Sequence, residues 1–173
     1  MQAIAQLQSR YTLLTLGVGE IQPCIDWAIQ RLQLDQEGDD LEVVLLAAAT
    51  TRDEALPLVQ EILERYAGIE ALDKEHAAGK YVASLRPLYL SGAESVESLD
   101  EKFTKLYYRL GYPNWLAMLS RNCEYATDID VFREPFEMEF EYIADLWGKA
   151  NTLSEFEGLY SREVSNKHDA KHC

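Results

Sequence analysis

Two spacings bring metal-binding residue types close together in the sequence. Asp128 and Asp130, separated by one isoleucine, resemble the metal-binding pair of some sugar-nucleotide transferases. His168 and His172 are four positions apart and precede Cys173, so one helix face would present both imidazoles to a transition metal. No nucleotide-binding strand, loop and helix surround the aspartates, however, and no fold would preorganise ligands in the last six residues. We therefore predict no metal site and no cofactor.

The sequence lacks the motifs of the common hydrolases and nucleotide-binding enzymes. It contains no Gly-x-Ser-x-Gly elbow, no Walker loop and no Cys-x-x-Cys pair. Carboxylate pairs are frequent, but a chain with 30 acidic residues among 173 contains many by composition alone, so they identify no acid/base dyad. The sequence predicts a protein that is not an enzyme. An enzyme with a carboxylate or metal site is the third of three functional hypotheses.

The elements that would position a site are predicted to be helices. Apolar side chains recur at helical spacing in residues 21–32, 56–66, 99–110 and 136–147. Residues 41–49 are largely apolar, and we interpret them as a short buried helix. No stretch alternates apolar and polar residues as a half-buried strand would. The sequence therefore predicts an all-α fold of about seven to nine helices.

The predicted organisation is a single domain over residues 1–164, followed by a disordered tail at 165–173. Its helices would form either an irregular bundle or a stack of short helix pairs. Weaker helical patterns predict further helices at residues 69–78, 80–90 and 114–121. We predict a loop at Tyr125 to Phe132.

Three capping boxes mark predicted helix starts, because a Ser or Thr hydroxyl and a Glu three residues later satisfy each other's backbone donors. The pairs are Thr51 with Glu54, Ser98 with Glu101, and Thr152 with Glu155. Pro57 leaves two alternatives for the first of them. Either that helix contains the proline and kinks, or it begins at Leu56 and the box is coincidental.

The acidic charge is concentrated in two segments of a chain whose formal net charge is −14. Residues 35–54 contain seven acidic residues and one arginine, and residues 124–145 contain eight acidic residues and one arginine. Such negative fields argue against nucleic acid and anionic membranes as partners and favour a basic protein. The alternative is that these carboxylates only keep the chain soluble and stabilise the first turns of helices.

The candidate binding residues come from these segments and from a nearby group of aromatic residues. Tyr108, Tyr112 and Trp115 belong to the types enriched at binding hot spots and would form a surface patch, unless they line a helix–helix elbow. The acidic candidates are Asp39, Asp40, Glu42, Asp128, Asp130, Glu134, Glu137, Glu139 and Glu141.

The sequence predicts a cytoplasmic location. Residues Met1 to Gln8 show no secretory signal, and the longest apolar run, Val43 to Ala49, is far shorter than a membrane-spanning helix. The three cysteines are odd in number and widely spaced, so they indicate no disulfide framework.

Three segments in order resemble a family of bacterial proteins known only as a domain of unknown function. They are Ile21 to Leu32 with its Asp-Trp-Ala, Glu97 to Pro113 with an aromatic helix ending in Tyr-Pro, and Glu141 to Gly148 with a Trp. The sequence departs from the family before Tyr112, where Arg-Leu-Gly replaces the expected Asp/Phe-Asp. Small acidic domains of this kind resemble toxin immunity proteins, and the resemblance implies no catalytic residues.

We therefore carry two binding hypotheses of different kinds. The first is an immunity-type inhibitor whose acidic segments occlude a basic toxin, with association that weakens as salt rises. The second is a helical adaptor that accepts an apolar helix or peptide in an aromatic groove and is insensitive to salt. The sequence does not indicate an oligomeric state.

Overall fold

The computed structural model describes residues 2–67 and 73–169 of the chain. Within those residues the secondary structure is helical and contains no strand, which confirms the all-α class. A 3₁₀ helix spans Asp130–Phe132. The α-helices are α1 (Gln2–Thr15), α2 (Gln22–Gln33), α3 (Leu41–Ala48), α4 (Arg52–Tyr66), α5 (Lys74–Leu90), α6 (Val96–Arg109), α7 (Asn114–Asp128), α8 (Arg133–Lys149) and α9 (Leu153–Asp169).

Contacts divide the chain into two compact units, Met1–Lys74 and Glu75–Cys173, which we describe separately. The single domain expected over residues 1–164 stays a prediction. Helix α9 continues through Asp169, so residues 165–169 of the predicted tail are helical. Residues 170–173 lie outside the described part of the chain, and so do His172 and Cys173 of the spacing considered above.

The first unit packs α1, α2, α3 and α4 around one apolar core. Leu7, Trp27, Leu46 and Ile62 are buried there, one from each helix. Helix α2 has Pro23 in its first turn, where the missing N–H has no helical partner. Helix α1 was not predicted, although Ile4, Leu7, Tyr11 and Leu14 stand at helical spacing in the sequence and are buried or partly buried in the structure.

The second unit packs α6, α7 and α8 together around an aromatic core. The Phe103 and Phe140 rings meet edge to face at 5.4 Å between centroids. Trp147 stacks on Phe156 at 3.8 Å, with 7° between the two planes. The apolar spacing predicted for α8 is confirmed, since Phe136, Phe140 and Trp147 are all buried.

Two of the three predicted capping boxes need correction. Thr51 and Glu54 form both hydrogen bonds of their box, so α4 begins at Arg52 and contains Pro57; a start at Leu56 is wrong. The predicted box of Ser98 with Glu101 is wrong: α6 begins at Val96 and its cap is Ser95, whose Oγ accepts from the Ser98 N–H at 3.1 Å.

At the third site the Thr152 hydroxyl accepts from the Glu155 N–H at 3.1 Å. The Glu155 carboxylate, however, accepts from the Asn151 N–H at 2.7 Å rather than from Thr152. The predicted reciprocal pair is therefore only half formed, although a helix does begin there, at Leu153.

The structure also moves some predicted boundaries. Residues 74–90 form one helix that contains Pro87, in place of the two predicted at 69–78 and 80–90; residues 69–72 lie outside the described chain. Helix α7 runs to Asp128 rather than to Arg121, so the predicted loop over 125–132 is wrong. Tyr125 packs on Phe132 at 4.9 Å, and this contact holds the helix end against the 3₁₀ turn.

No helix in residues 2–67 and 73–169 combines the length and the apolar character that crossing a bilayer requires.

Candidate functional site

Two of the three acidic candidates in the first unit are occupied by internal contacts. The Asp40 side chain is 3% exposed and caps α3 by accepting from the Glu42 N–H at 3.1 Å. It also accepts from Arg65 Nη1 at 3.1 Å and from the Tyr66 hydroxyl. Glu42 pairs with the same guanidinium at 2.8 Å. Asp39 alone of the three is exposed, so Asp40 and Glu42 tie α3 to α4 rather than facing a partner.

The contact with Arg65 predicts an unusual titration of Glu42. The hydrogen bond from Arg65 is the largest cause that lowers the pKa of Glu42 from 4.5 to about 2. A carboxyl whose pKa is lower in the folded state stabilises it fully above pH 4.5, and that contribution disappears as the pH falls through about 2. We expect an NMR titration of the side-chain carboxyl to give this midpoint, and Arg65→Met to move it up toward 4.5.

Glu54 is the control for this titration. Hydrogen bonds from Thr50 and Thr51 lower its pKa, and Arg65 is not among the causes. Its midpoint should therefore stay in place in Arg65→Met. A Glu42 midpoint near 4.5 in the wild-type chain would contradict the assignment.

The predicted aromatic patch does not include Trp115. That side chain is buried, donates from Nε1 to Glu75 Oε1 at 2.8 Å, and packs edge to face on Trp147 at 5.1 Å. Tyr108 and Tyr112 are exposed, and their rings meet at 5.4 Å. The sequence could not separate the buried residue from the exposed ones, because all three lie in or next to the short turn between α6 and α7.

The second acidic segment presents most of its candidates on one helix and the turn before it. Glu134, Glu137 and Glu141 are exposed and lie on successive turns of α8. Asp128 and Asp130 are exposed at the end of α7 and in the 3₁₀ turn.

Glu139 differs from these candidates. It is half-buried and lies toward Tyr160, whose pKa is raised by burial and, after that, by the Glu139 charge. The group formed by Glu134, Glu137 and Glu141 therefore excludes Glu139.

These three carboxylates line a groove between α5 and α8 with a volume of about 260 Å³. Two apolar side chains lie in the same groove, Leu90 with 64% of its surface exposed and Met138 with 65%. Apolar side chains bordered by charged ones are the arrangement that protein interfaces use, with the apolar contacts at the centre. We call this surface the acidic groove.

Tyr89 fixes one wall of the acidic groove. Its ring packs edge to face on Phe136 at 5.6 Å, and its hydroxyl donates to Glu137 Oε1 at 2.7 Å. Burial and, after it, the hydrogen bond to Glu137 raise the pKa of Tyr89, so the hydroxyl keeps its proton at neutral pH. The Glu137 carboxylate is therefore held in a defined position beside the apolar contacts.

Two arginines lie close to the acidic groove and reduce its charge. Arg86 Nη2 approaches Glu141 Oε1 at 3.6 Å. Arg133 lies beside Tyr89 and Glu137, and its contact with the Tyr89 hydroxyl is the largest cause that raises its pKa. Glu134 makes no ion pair with any residue in the described part of the chain. The groove therefore keeps a negative excess, but a smaller one than the count of carboxylates suggests.

Leu90 and Met138 are not among the binding residues predicted from the sequence, although the position of Met138 indicates that it is exposed. It stands between Glu137 and Glu139, off the buried apolar stripe of α8, and an apolar residue outside such a stripe is exposed unless another element covers it.

In the described side chains no group of three His, Cys, Asp or Glu residues is arranged to hold a metal ion. Comparison of the chain with protein-family models, with curated proteins and with solved structures gives no match. The resemblance to immunity proteins stays a prediction.

Proposed function

We propose that this chain is a binding protein that docks a basic partner protein in the acidic groove. The observation that carries the proposal is the position of Leu90 and Met138, both exposed, among the carboxylates of Glu134, Glu137 and Glu141. Charge at the rim speeds association with a basic partner, and burial of the apolar side chains slows dissociation.

Within this proposal the partner is a basic toxin and the chain is its cytoplasmic, immunity-type inhibitor. The support for this narrower statement is the resemblance stated above, together with the acidity of the chain. A toxin that acts on nucleic acid needs a basic cleft, and an acidic surface that fills such a cleft inhibits it without any catalytic step.

The experiment uses the protein encoded by the gene next to this one, if that protein is basic, and measures association rates at 50 and 300 mM NaCl. We expect the double variant Glu134→Lys with Glu141→Lys to slow association about tenfold at low salt. Glu137 is left intact because it holds Tyr89 in place. Met138→Ala should instead raise the dissociation rate.

Glu101→Lys with Glu157→Lys is the matched control. It makes the same change in net charge at two exposed carboxylates outside the groove, so it should slow association much less. If both double variants slow association equally, only the net charge of the chain matters. That result would overturn the proposal that the acidic groove is the binding site. The proposal is also overturned if neither of the two neighbouring genes encodes a basic protein, or if the basic protein that one of them encodes does not bind this chain.

The adaptor hypothesis is favoured by a second groove, of about 500 Å³ between α6 and α7, which includes Tyr108 and the exposed Met118. A partner bound there would be lost on Tyr108→Ala and would be unaffected by Glu134→Lys with Glu141→Lys. That result in the experiment above would favour the adaptor over the inhibitor.

A further inference from the structure

Helix α3 in the first unit was predicted to be buried, but only one of its faces is; its second apolar face points away from the core. Val43 and Leu46 are buried against the neighbouring helices. Leu41, Val44 and Leu45 are 61%, 40% and 46% exposed. Ala48, one turn further, is exposed as well. These exposed residues stand at i, i+3, i+4 and i+7, which places them on one side of the helix.

This exposed face is unlike the solvent side of an ordinary amphipathic helix. Such a helix is polar outside, whereas α3 is apolar on both sides except at Glu42, which is paired with Arg65. Contiguous exposed apolar residues of this kind mark interaction surfaces.

The charges at the two ends of α3 indicate what kind of partner fits. Asp35 and Asp39 precede the helix and Asp53 follows it, and all three are exposed. None of the three makes an ion pair within the described residues. Of the other carboxylates near α3, Asp40 and Glu42 bind Arg65 and Glu54 caps α4, whereas Glu37 is half-buried with no hydrogen bond to its Oε2. Unpaired negative charge, offset in part by the exposed Arg52 beside Asp53, therefore borders an apolar helix face.

We propose that the exposed face of α3 docks an amphipathic basic helix of a partner protein. The apolar side of that helix would pack on Leu41, Val44 and Leu45, and its Lys or Arg residues would reach Asp39 and Asp53. A second copy of this chain would bring the same carboxylates to the contact and be repelled. This surface lies within residues 1–74. The proposal for it is independent of the one made for the acidic groove.

The test titrates the full chain with a synthetic 14-residue peptide of Leu and Lys, its leucines at helical i, i+3, i+4 and i+7 spacing. Amide chemical shifts of Val44 and Leu45 locate the binding. We expect both amides to shift. Leu45→Glu should weaken the binding measured at the Val44 amide at least tenfold, and Asp39→Asn with Asp53→Asn at least threefold. A peptide with Glu in place of Lys should not bind.

Val131→Glu is the matched control, since it makes the same kind of change at an exposed apolar residue outside α3, and it should leave the affinity unchanged. If Leu45→Glu loses its helical circular dichroism, Leu45→Ala replaces it, with an expected threefold weakening. The proposal is overturned if the α3 amides do not shift, or if the Glu peptide binds equally. It is also overturned if the wild-type chain self-associates and the Leu45→Glu variant does not. That result would show that the occupant of the α3 face is a second copy of this chain.

Discussion

Gly79→Ala is expected to destabilise the second unit by about 3 kcal/mol, although alanine is the better helix former. Gly79 is buried in α5, and a Cβ built on it would overlap the Trp147 indole at Cδ2, Cε2 and Cζ2. In an open helical position the same change would be favourable by up to about 1 kcal/mol. The clash therefore reverses the sign of an ordinarily stabilising substitution.

Trp147 has little room to move away from the added methyl group. Its side chain is fully buried and stacks on Phe156 at 3.8 Å, while Trp115 packs against it at 5.1 Å. Its backbone carbonyl accepts from Lys80 Nζ at 2.7 Å, so both its ring and its main chain are held. Relief of the clash would require displacement of a packed aromatic cluster.

Urea denaturation followed by circular dichroism checks this expectation. Gly158→Ala is the matched control, since Gly158 is exposed in α9 and a Cβ there would have no neighbour within 4 Å. That variant should be more stable than the wild-type chain by up to about 1 kcal/mol. If Gly79→Ala is as stable as the wild-type chain, Gly79 does not lie as close to the Trp147 indole as the structure places it.

Asp40→Ala is expected to destabilise the first unit by about 3 kcal/mol. The change removes the cap of α3, which is typically worth about 1 kcal/mol. It also removes the charge-assisted hydrogen bonds from Arg65 and Tyr66, which together contribute about 2 kcal/mol, since both donors are partly exposed and can bind water instead. Arg65 keeps Glu42 and Glu61, which limits the loss.

The measurement is hydrogen exchange of the α3 and α4 amides, because a loss confined to one unit can leave a global transition unchanged. Asp39→Ala, at the neighbouring exposed carboxylate, should have almost no effect. Asp40→Asn should be intermediate, since asparagine caps helices well but carries no charge. Equal effects of Asp39→Ala and Asp40→Ala would contradict the structural role of Asp40.

The fold class could be predicted from the sequence because helical spacing of apolar residues is a local property. The stripe at Phe136, Phe140 and Trp147 is visible in the sequence and is buried in the structure. Helix starts were harder to predict, because Ser95 and Ser98 are both acceptable caps and only tertiary packing selects between them. Trp115 was misplaced for a similar reason, since its partners Glu75 and Trp147 are remote in sequence.

The candidate site was only partly predictable. Charge can be counted along a chain, but its pairing cannot: Arg65 neutralises Asp40 from 25 residues away, and Arg86 reaches Glu141 from another helix. The acidic groove likewise depends on Leu90 and Met138, which only the packing of α5 on α8 brings together.

The burial of all three tryptophans gives the chain its own optical reporters. Trp27 is the single indole in residues 1–74, and Trp115 and Trp147 lie 5.1 Å apart in residues 75–173, close enough for their excited states to couple. The part of the emission change that Trp27 contributes therefore follows the opening of the first unit. The exciton signal of the indole pair follows the second, without any attached dye.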